Sequence, residues 1–392
     1  MADQPGIMPR ALNLPVLGLV TVLLSAAIGA SYVYVDLSLN RMGASATAIG
    51  LNAAMPALGW FLATPFLPLL VHRRDTRIVL LALPCLAVAA MAGFALTTDQ
   101  TAWMILRFVF GSSLGILFRL VEYWISAASG PDRRARNMGI YAALFCAGVA
   151  IGAGILPLVG LTGWPPVLLM IGLIAAGMAV MATLRRGPPA IATLPRRLMT
   201  GFAGPVAIAV IAAGLIGLFE AVPYTLMPVY AVRVGMTEDF AALTTSAFMI
   251  GQVLFLVPLG LLADRINRVA VLAPAGMVGL VSTVALPAAI GDAVTMIAII
   301  LVWGGFAGSI YAVSLAMLAD RLDGPDLAAA NASFGTLYAA GALVGPPLHG
   351  LVMEWHDPQG LMASSALLFV ALLGLIAWQA MRLVLRNQGR PA

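Results

Sequence analysis

The sequence predicts an all-α membrane protein of twelve transmembrane helices, arranged as two pseudo-symmetric halves of six. Three observations carry this. The chain has 392 residues, 61% hydrophobic and only 9% charged, against about 25% charged in a soluble domain. Apolar runs of about 20 residues recur along it, each long enough to cross a hydrocarbon core of about 30 Å. A pattern of glycines, prolines and charges also returns at an offset of 192 to 194 positions.

Composition narrows the function. Mean hydropathy is +1.00, which leaves little room for a soluble domain. The first apolar run continues well past 15 residues without an Ala-x-Ala exit, so no cleavable leader is expected. Seventeen of the 21 basic residues fall in loops on one side of the membrane, which argues against a nucleic-acid partner. All 21 are Arg. Without Lys no Walker phosphate loop is possible, so an ATP motor within the chain is excluded. Cys85 and Cys146 both lie in apolar runs and read as buried free thiols, neither disulfide framework nor metal cluster. Neither an enzyme nor a resident cofactor or metal is expected.

The spans fall at residues 12–35, 46–70, 78–97, 101–127, 137–160, 164–184, 203–231, 240–262, 269–290, 293–319, 328–352 and 361–385. With odd spans starting inside, the inner loops carry Arg73, Arg74, Arg77, Arg133, Arg134, Arg136, Arg185, Arg186, Arg196, Arg197, Arg265, Arg268 and Arg321. The termini add Arg10, Arg382, Arg386 and Arg390, while the outer loops carry only Arg41 and Arg233. The positive-inside rule then puts both termini in the cytoplasm of a bacterial inner membrane. Residues 185–201 are the longest polar segment. They read as a cytoplasmic linker between an N-terminal bundle, 1–184, and a C-terminal bundle, 202–392.

The repeat is explicit. His72-Arg73 and Asp264-Arg265 differ by 192 positions, as do Gly43 and Gly235. Gly130-Pro131-Asp132 and Asn137 return as Gly324-Pro325-Asp326 and Asn331, and Gly148 and Gly152 return as Gly341 and Gly345. Two six-helix halves related by an axis along the membrane normal are the plan of one class of secondary transporter.

Charged side chains inside spans mark candidate sites, because a charge in hydrocarbon costs from about 2.5 kcal/mol upward. In span 4, Arg107, Gly111, Gly115, Arg119 and Glu122 fall within an arc of roughly 120°. Such a face is expected to line a bundle interior or a wet cavity. Arg107 and Glu122 lie about 22 Å apart along the axis and cannot pair, whereas Arg119 and Glu122 at i,i+3 can. Arg119 and Glu122 either hold the bundle together or serve substrate, proton or gate. Arg107 has no partner on its own helix. Glu220 lies about halfway through span 7, among Gly214, Gly217 and Pro223, with no same-helix cation in reach. A carboxyl in low dielectric can carry a proton near neutral pH. Glu220 is therefore the first candidate proton site and Glu122 the second, unless Glu220 is merely hydrogen-bonded to a neighbouring helix. Tyr224 follows in the same bend.

Near the outer end of span 1, Tyr34 reads as an interfacial aromatic and Asp36 as the start of the outer loop. Tyr32 either lines the outer mouth or does the same. Spans 5 and 11 carry small-xxx-small spacing with prolines, which allows close helix contact and bending. His349 and Met353 at i,i+4, with His356 beyond, leave a soft transition-metal importer as a remote alternative. The 20 Met are scattered singly and read as packing filler.

The segment Gly260-Leu-Leu-Ala-Asp264-Arg265-Ile-Asn-Arg268 resembles the Gly-x-Leu-Ala-Asp-Arg-x-Gly-Arg loop signature of the major facilitator superfamily, with Asn267 in place of Gly. The first-half copy is degenerate, with His72 at the Asp position before Arg73. Arg107-Phe-Val-Phe-Gly111 is similar to the superfamily's span-4 signature, linked there to proton coupling or substrate binding. Leu-Val-Glu122-Tyr-Trp124, followed by the Arg133–Arg136 loop and Asn-Met-Gly-Ile-Tyr141, looks most like the YcaD-like branch. The Gly-Pro signature of the superfamily's exporters is absent from span 5, where Ala153 follows Gly152. Independently of the family, Asp264 at a helix end can face the positive N-terminus of a neighbouring helix. Arg265 and Arg268 can bridge to carboxylates as an inner latch, or simply hold the loop inside. His72 with Arg73 would make a weaker or pH-sensitive first-half latch.

The resemblance and the residues together imply a secondary transporter working by alternating access on a small organic solute. It is expected to be driven by protons and to act as a monomer in the lipid bilayer. Efflux is favoured, and uptake of a metabolite or vitamin-like solute is the alternative. Arg107 would bind an anionic substrate group or tune a nearby carboxyl.

Overall fold

The computed structural model describes residues 14–63, 76–129, 131–184, 204–266 and 268–388. The expected linker, 185–201, lies outside them. The helices are α1 (Leu14–Arg41), α2 (Ala46–Ala63), α3 (Thr76–Leu96), α4 (Gln100–Ala128), α5 (Pro131–Val159), α6 (Trp164–Ala182), α7 (Gly204–Glu220) and α8 (Val222–Arg233). They continue with α9 (Glu238–Arg265), α10 (Arg268–Ala285), α11 (Ala293–Ala319), α12 (Gly324–Trp355) and α13 (Gly360–Gln388). Taking α7 and α8 together as span 7, these are the twelve expected spans. Ten described stretches are long and apolar enough to cross a membrane.

Local chemistry places the ends. Asp99 caps α4 by accepting from the Ala102 amide at 2.7 Å, and Thr237 caps α9 through the Phe240 amide at 3.2 Å. Helices α1 and α8 end in the same way. The Ala44 amide bonds to Leu39 and Gly43 to Asn40, while Met236 bonds to Ala231 and Gly235 to Val232. Gly43 and Gly235 supply the required positive φ, 76° and 93°.

Span 1 is longer than expected. Helix α1 runs to Arg41, so Asp36 does not begin a loop; it is wholly buried. Tyr34 is buried too, stacked on Trp103 with centroids 6.3 Å apart, not set at a headgroup. Both belong inside because partners from α4 reach them, which no hydropathy scale records. Span 7 breaks at Ala221, making Glu220 the last residue of α7. Pro223 has no N–H to give to the Phe219 carbonyl, and a new helix starts at Val222 with Pro223 in its first turn.

Packing repeats between the halves. Helix α1 lies on α5 so closely that a Cβ on Gly152 would sit 1.8 Å from the Ala26 carbonyl oxygen; α7 lies on α12, where a Cβ on Gly345 would sit 2.2 Å from the Leu218 oxygen. Helix α2 packs on α4, and α9 on α11. The halves meet along α2 with α12 and along α5 with α9. These are the seams between the halves.

Candidate substrate and coupling cavity

A cavity of about 370 Å³ lies between the halves. Helix α4 contributes Phe110, Gly111, Leu114, Gly115, Phe118, Arg119 and Glu122, and α5 contributes Tyr141, Phe145 and Cys146. Ile28, Tyr32, Pro56, Trp60, Ala142, Glu220, Tyr311 and Tyr338 complete it. The glycine-and-charge face read from span 4 therefore does line a cavity, Arg107 excepted. The two glycines also admit α2: a Cβ on Gly111 would sit 2.3 Å from Pro56 Cα.

Arg107 has a partner that sequence does not assign. Its guanidinium grips Asp36 of α1 in a fork, with Nη1 on Oδ1 and Nη2 on Oδ2 at 3.2 Å. Nη1 also donates to Asn52 Oδ1 of α2 at 3.2 Å. The side chains of Arg107 and Asp36 are 2% and 0% exposed. Arg107 thus ties three helices together, but it does not reach the cavity. Its Cζ lies 5.2 Å from the Tyr32 ring centre, and Tyr32 stacks on Tyr224 of α8 at 5.4 Å. That stack carries the contact into the second half, one helical turn after Glu220.

Arg119 and Glu122 pair at 3.0 Å, as their spacing allows, and Arg119 lies 4.3 Å over the Trp60 ring. At 41% and 35% exposure they stand at the open end of the cavity, where α4 ends and α5 begins. Glu220 lies deeper. Tyr338 of α12 and Gln252 of α9 lie beside its carboxyl. Neither Glu220 Oε2 nor Gln252 Nε2 closes a hydrogen bond, however. Cys146 Sγ donates to Gln252 Oε1 at 3.2 Å. Glu220 has no ion-pair partner among the described residues.

The opposite end is shut. Arg233 donates to Asn40 at 3.0 Å, to the Ala44 carbonyl at 3.4 Å and to Asp357 at 2.9 Å. Arg41 pairs with Glu238 at 3.1 Å, and Glu354 accepts from the Thr47 amide at 3.2 Å. Nearer the middle, Ser246 donates to the Ala150 carbonyl at 2.8 Å.

The expected inner latch is only partly in view. His72 and Arg73 lie outside the described residues, as does the side chain of Asp264. Arg265 is exposed at the end of α9. Arg268 does bridge to a carboxylate, Asp320, with Nη2 to Oδ1 at 2.8 Å. Both belong to the second half, so this contact ties α10 to α11 and does not join the halves. His349 is wholly buried against Ser364, its Nδ1 2.6 Å from the Ser364 oxygen, while His356 is exposed. The described residues contain no group of three His, Cys, Asp or Glu able to hold a metal.

Sequence reasoning does not single out Asp36, Asn52, Gln252, Tyr311 and Tyr338 as parts of the site. Asn52 and Gln252 carry a usable signal, being amides inside apolar spans. The two tyrosines carry none.

Comparison with known proteins agrees with this architecture. The profile described as Major Facilitator Superfamily matches twice, over residues 16–237 and 209–391. The MFS-type transporter YfkF of Bacillus subtilis is 24% identical over 332 residues, covering 81% of this chain and 83% of its own. The MFS-type transporter YcaD of Salmonella paratyphi B is 23% identical over 323 residues, covering 78% and 76%. The crystal structure of the nucleoside transporter NupG superposes with a TM-score of 0.73 at 15% identity, covering 94% of this chain and 99% of that one. At that identity the likeness speaks for the fold alone.

Proposed function

The chain belongs to the Major Facilitator Superfamily, and from that premise we propose that it moves a small organic solute across the bacterial inner membrane by alternating access, in exchange for protons taken up at Glu220. The observation that carries this is a cavity between the halves, clasped at one end and open at the other, holding a carboxyl with no cation beside it among the described residues. An unpaired carboxylate in low dielectric costs several kcal/mol, and protonation removes that cost. Glu220 is thus a place where a proton stabilises one state of the cycle.

By the arginine bias, the open end is cytoplasmic and both termini lie on that side. Arg41 and Arg233 would close the outer mouth. Solute would enter from the cytoplasm among the aromatic rings, the clasp would part, and a proton from outside would reload Glu220. Arg107 positions α1, α2 and α4 and orients Tyr32, without touching solute. Efflux is the reading favoured by a lining that is mostly ring and hydrocarbon.

The test uses purified protein in liposomes with an imposed pH gradient and a panel of labelled solutes. Solute flux should follow the gradient in wild type, and Glu220→Gln should leave only solute exchange. Flux that ignores the gradient in wild type would remove the proton and return Glu220 to a structural carboxyl in a facilitator.

A further inference from the structure

The charges of the cavity do not cancel. Its charged lining residues are Arg119, Glu122 and Glu220. The first two neutralise each other, and Arg119 already covers the Trp60 face. Arg107 is engaged by Asp36 and stands outside the lining. What remains is one carboxyl whose Oε2 has no hydrogen-bond partner.

Tyrosines share the cavity with that carboxyl. Tyr338 and Tyr311 line the cavity with Glu220, and the two rings meet edge-on at 5.1 Å. Tyr32 lines the same cavity and stacks on Tyr224 at 5.4 Å. Ring faces attract a cation within about 6 Å, and aromatic cages are how proteins hold quaternary ammonium groups. An anion would be repelled by Glu220, and the lining offers it no uncommitted cation. A sugar-like solute would leave hydroxyls unpaired against hydrocarbon and ring.

We propose that the cavity takes an organic monocation with an aromatic or otherwise apolar body, with Glu220 as its counter-ion. This rests on the transport function proposed above and narrows its solute class. Cation and proton then compete for one carboxylate. The other groups facing Glu220 are Tyr338 from α12, Gln252 from α9, Cys146 from α5, Tyr224 from α8 and Tyr311 from α11. None is a cation or a carboxylate, so Glu220 is where the competition takes place. Exchange of one monocation for one proton moves no net charge.

The test is calorimetric titration of the purified full-length protein in detergent with three probes of similar shape. They are N-methyl-4-phenylpyridinium, the uncharged 4-phenylpyridine N-oxide, and biphenyl-4-carboxylate. The pyridinium should bind most tightly and the carboxylate most weakly. Glu220→Gln should weaken the pyridinium about tenfold or more, with its thermal unfolding transition retained. Acidification should weaken the pyridinium in wild type and leave the N-oxide unchanged. Should Glu220→Gln fail to fold, the ranking of the three probes on wild type still decides. The proposal is overturned if the carboxylate binds as well as the pyridinium, or if a folded Glu220→Gln binds the pyridinium like wild type. If the pyridinium binds through Glu220 but displaces no proton in weakly buffered solution, the solute class stands and proton coupling falls.

Discussion

Arg41 and Arg233 stand 192 positions apart, at equivalent places in the two halves, and each reaches across into the other. Arg41 meets Glu238, and Arg233 meets Asn40 and the Ala44 carbonyl. Two partly exposed contacts of this kind contribute about 0–1 kcal/mol each, enough to bias an equilibrium between nearly balanced states. Removing one should therefore open the clasped end without unfolding the protein. Spin labels at Thr98→Cys and Asp239→Cys, with Cys85 and Cys146 replaced by Ser, would report it. Arg233→Ala should shift the distance distribution toward longer separations, and an unchanged distribution would mean that the arginines do not hold that end shut.

The Arg107–Asp36 pair makes a stability prediction of the opposite size. Removing one member of a buried pair leaves an uncompensated charge and costs about 3–5 kcal/mol, whereas removing both is often near neutral. Arg107→Met should lose about that much in denaturant unfolding, and adding Asp36→Asn should restore most of it. If the double variant is no better than the single, the pair is not what holds α1 to α4.

Close helix contact predicts a contrast among glycines. A methyl at Gly152 would strike the Ala26 carbonyl, so Gly152→Ala should cost about 1–3 kcal/mol or more. Gly335, in the interior of α12, has open space within 4 Å of where a Cβ would sit. Gly335→Ala should be neutral or stabilising by up to about 1 kcal/mol. Thermal unfolding of the two variants side by side checks both.

At the end of α11, hydrogen bonds from Arg268 hold the Asp320 carboxyl below its ordinary value of 3.8, aided by the charges of Arg268 and Arg321. A carboxylate favoured in the folded state adds stability above that value and loses it as pH falls. Asp320 is 41% exposed, so solvent screening keeps the contribution at about 1 kcal/mol or less. Asp320→Asn should lose that amount at neutral pH, and its difference from wild type should vanish on acidification below pH 3.8. A difference that persists in acid would mean that something other than the charge pair was lost.

Which features are legible follows from their range along the chain. Apolar runs locate all twelve spans to within a few residues at most ends, because hydropathy is a local property. The Arg119–Glu122 pair is legible for the same reason, lying one helical turn apart. Asp36 is misread from sequence because its partner is 71 residues away; beside Ser38 and Asn40 it resembles a solvated helix end.

The sequence by itself determined the membrane class, the duplicated halves, the shared face of glycines and charges on α4 and the presence of a carboxyl, Glu220, inside an apolar span. Only the tertiary structure decided which charges cancel. It withdrew Arg107 from the cavity by giving it Asp36 and Asn52, left Glu220 without a cation among the described residues, and placed tyrosines of α11 and α12 in the same cavity. The physical reason is that periodicity fixes the face a side chain presents, whereas its partner depends on how separate helices cross, and crossing is settled by close contacts such as Gly152 on Ala26 and Gly345 on Leu218.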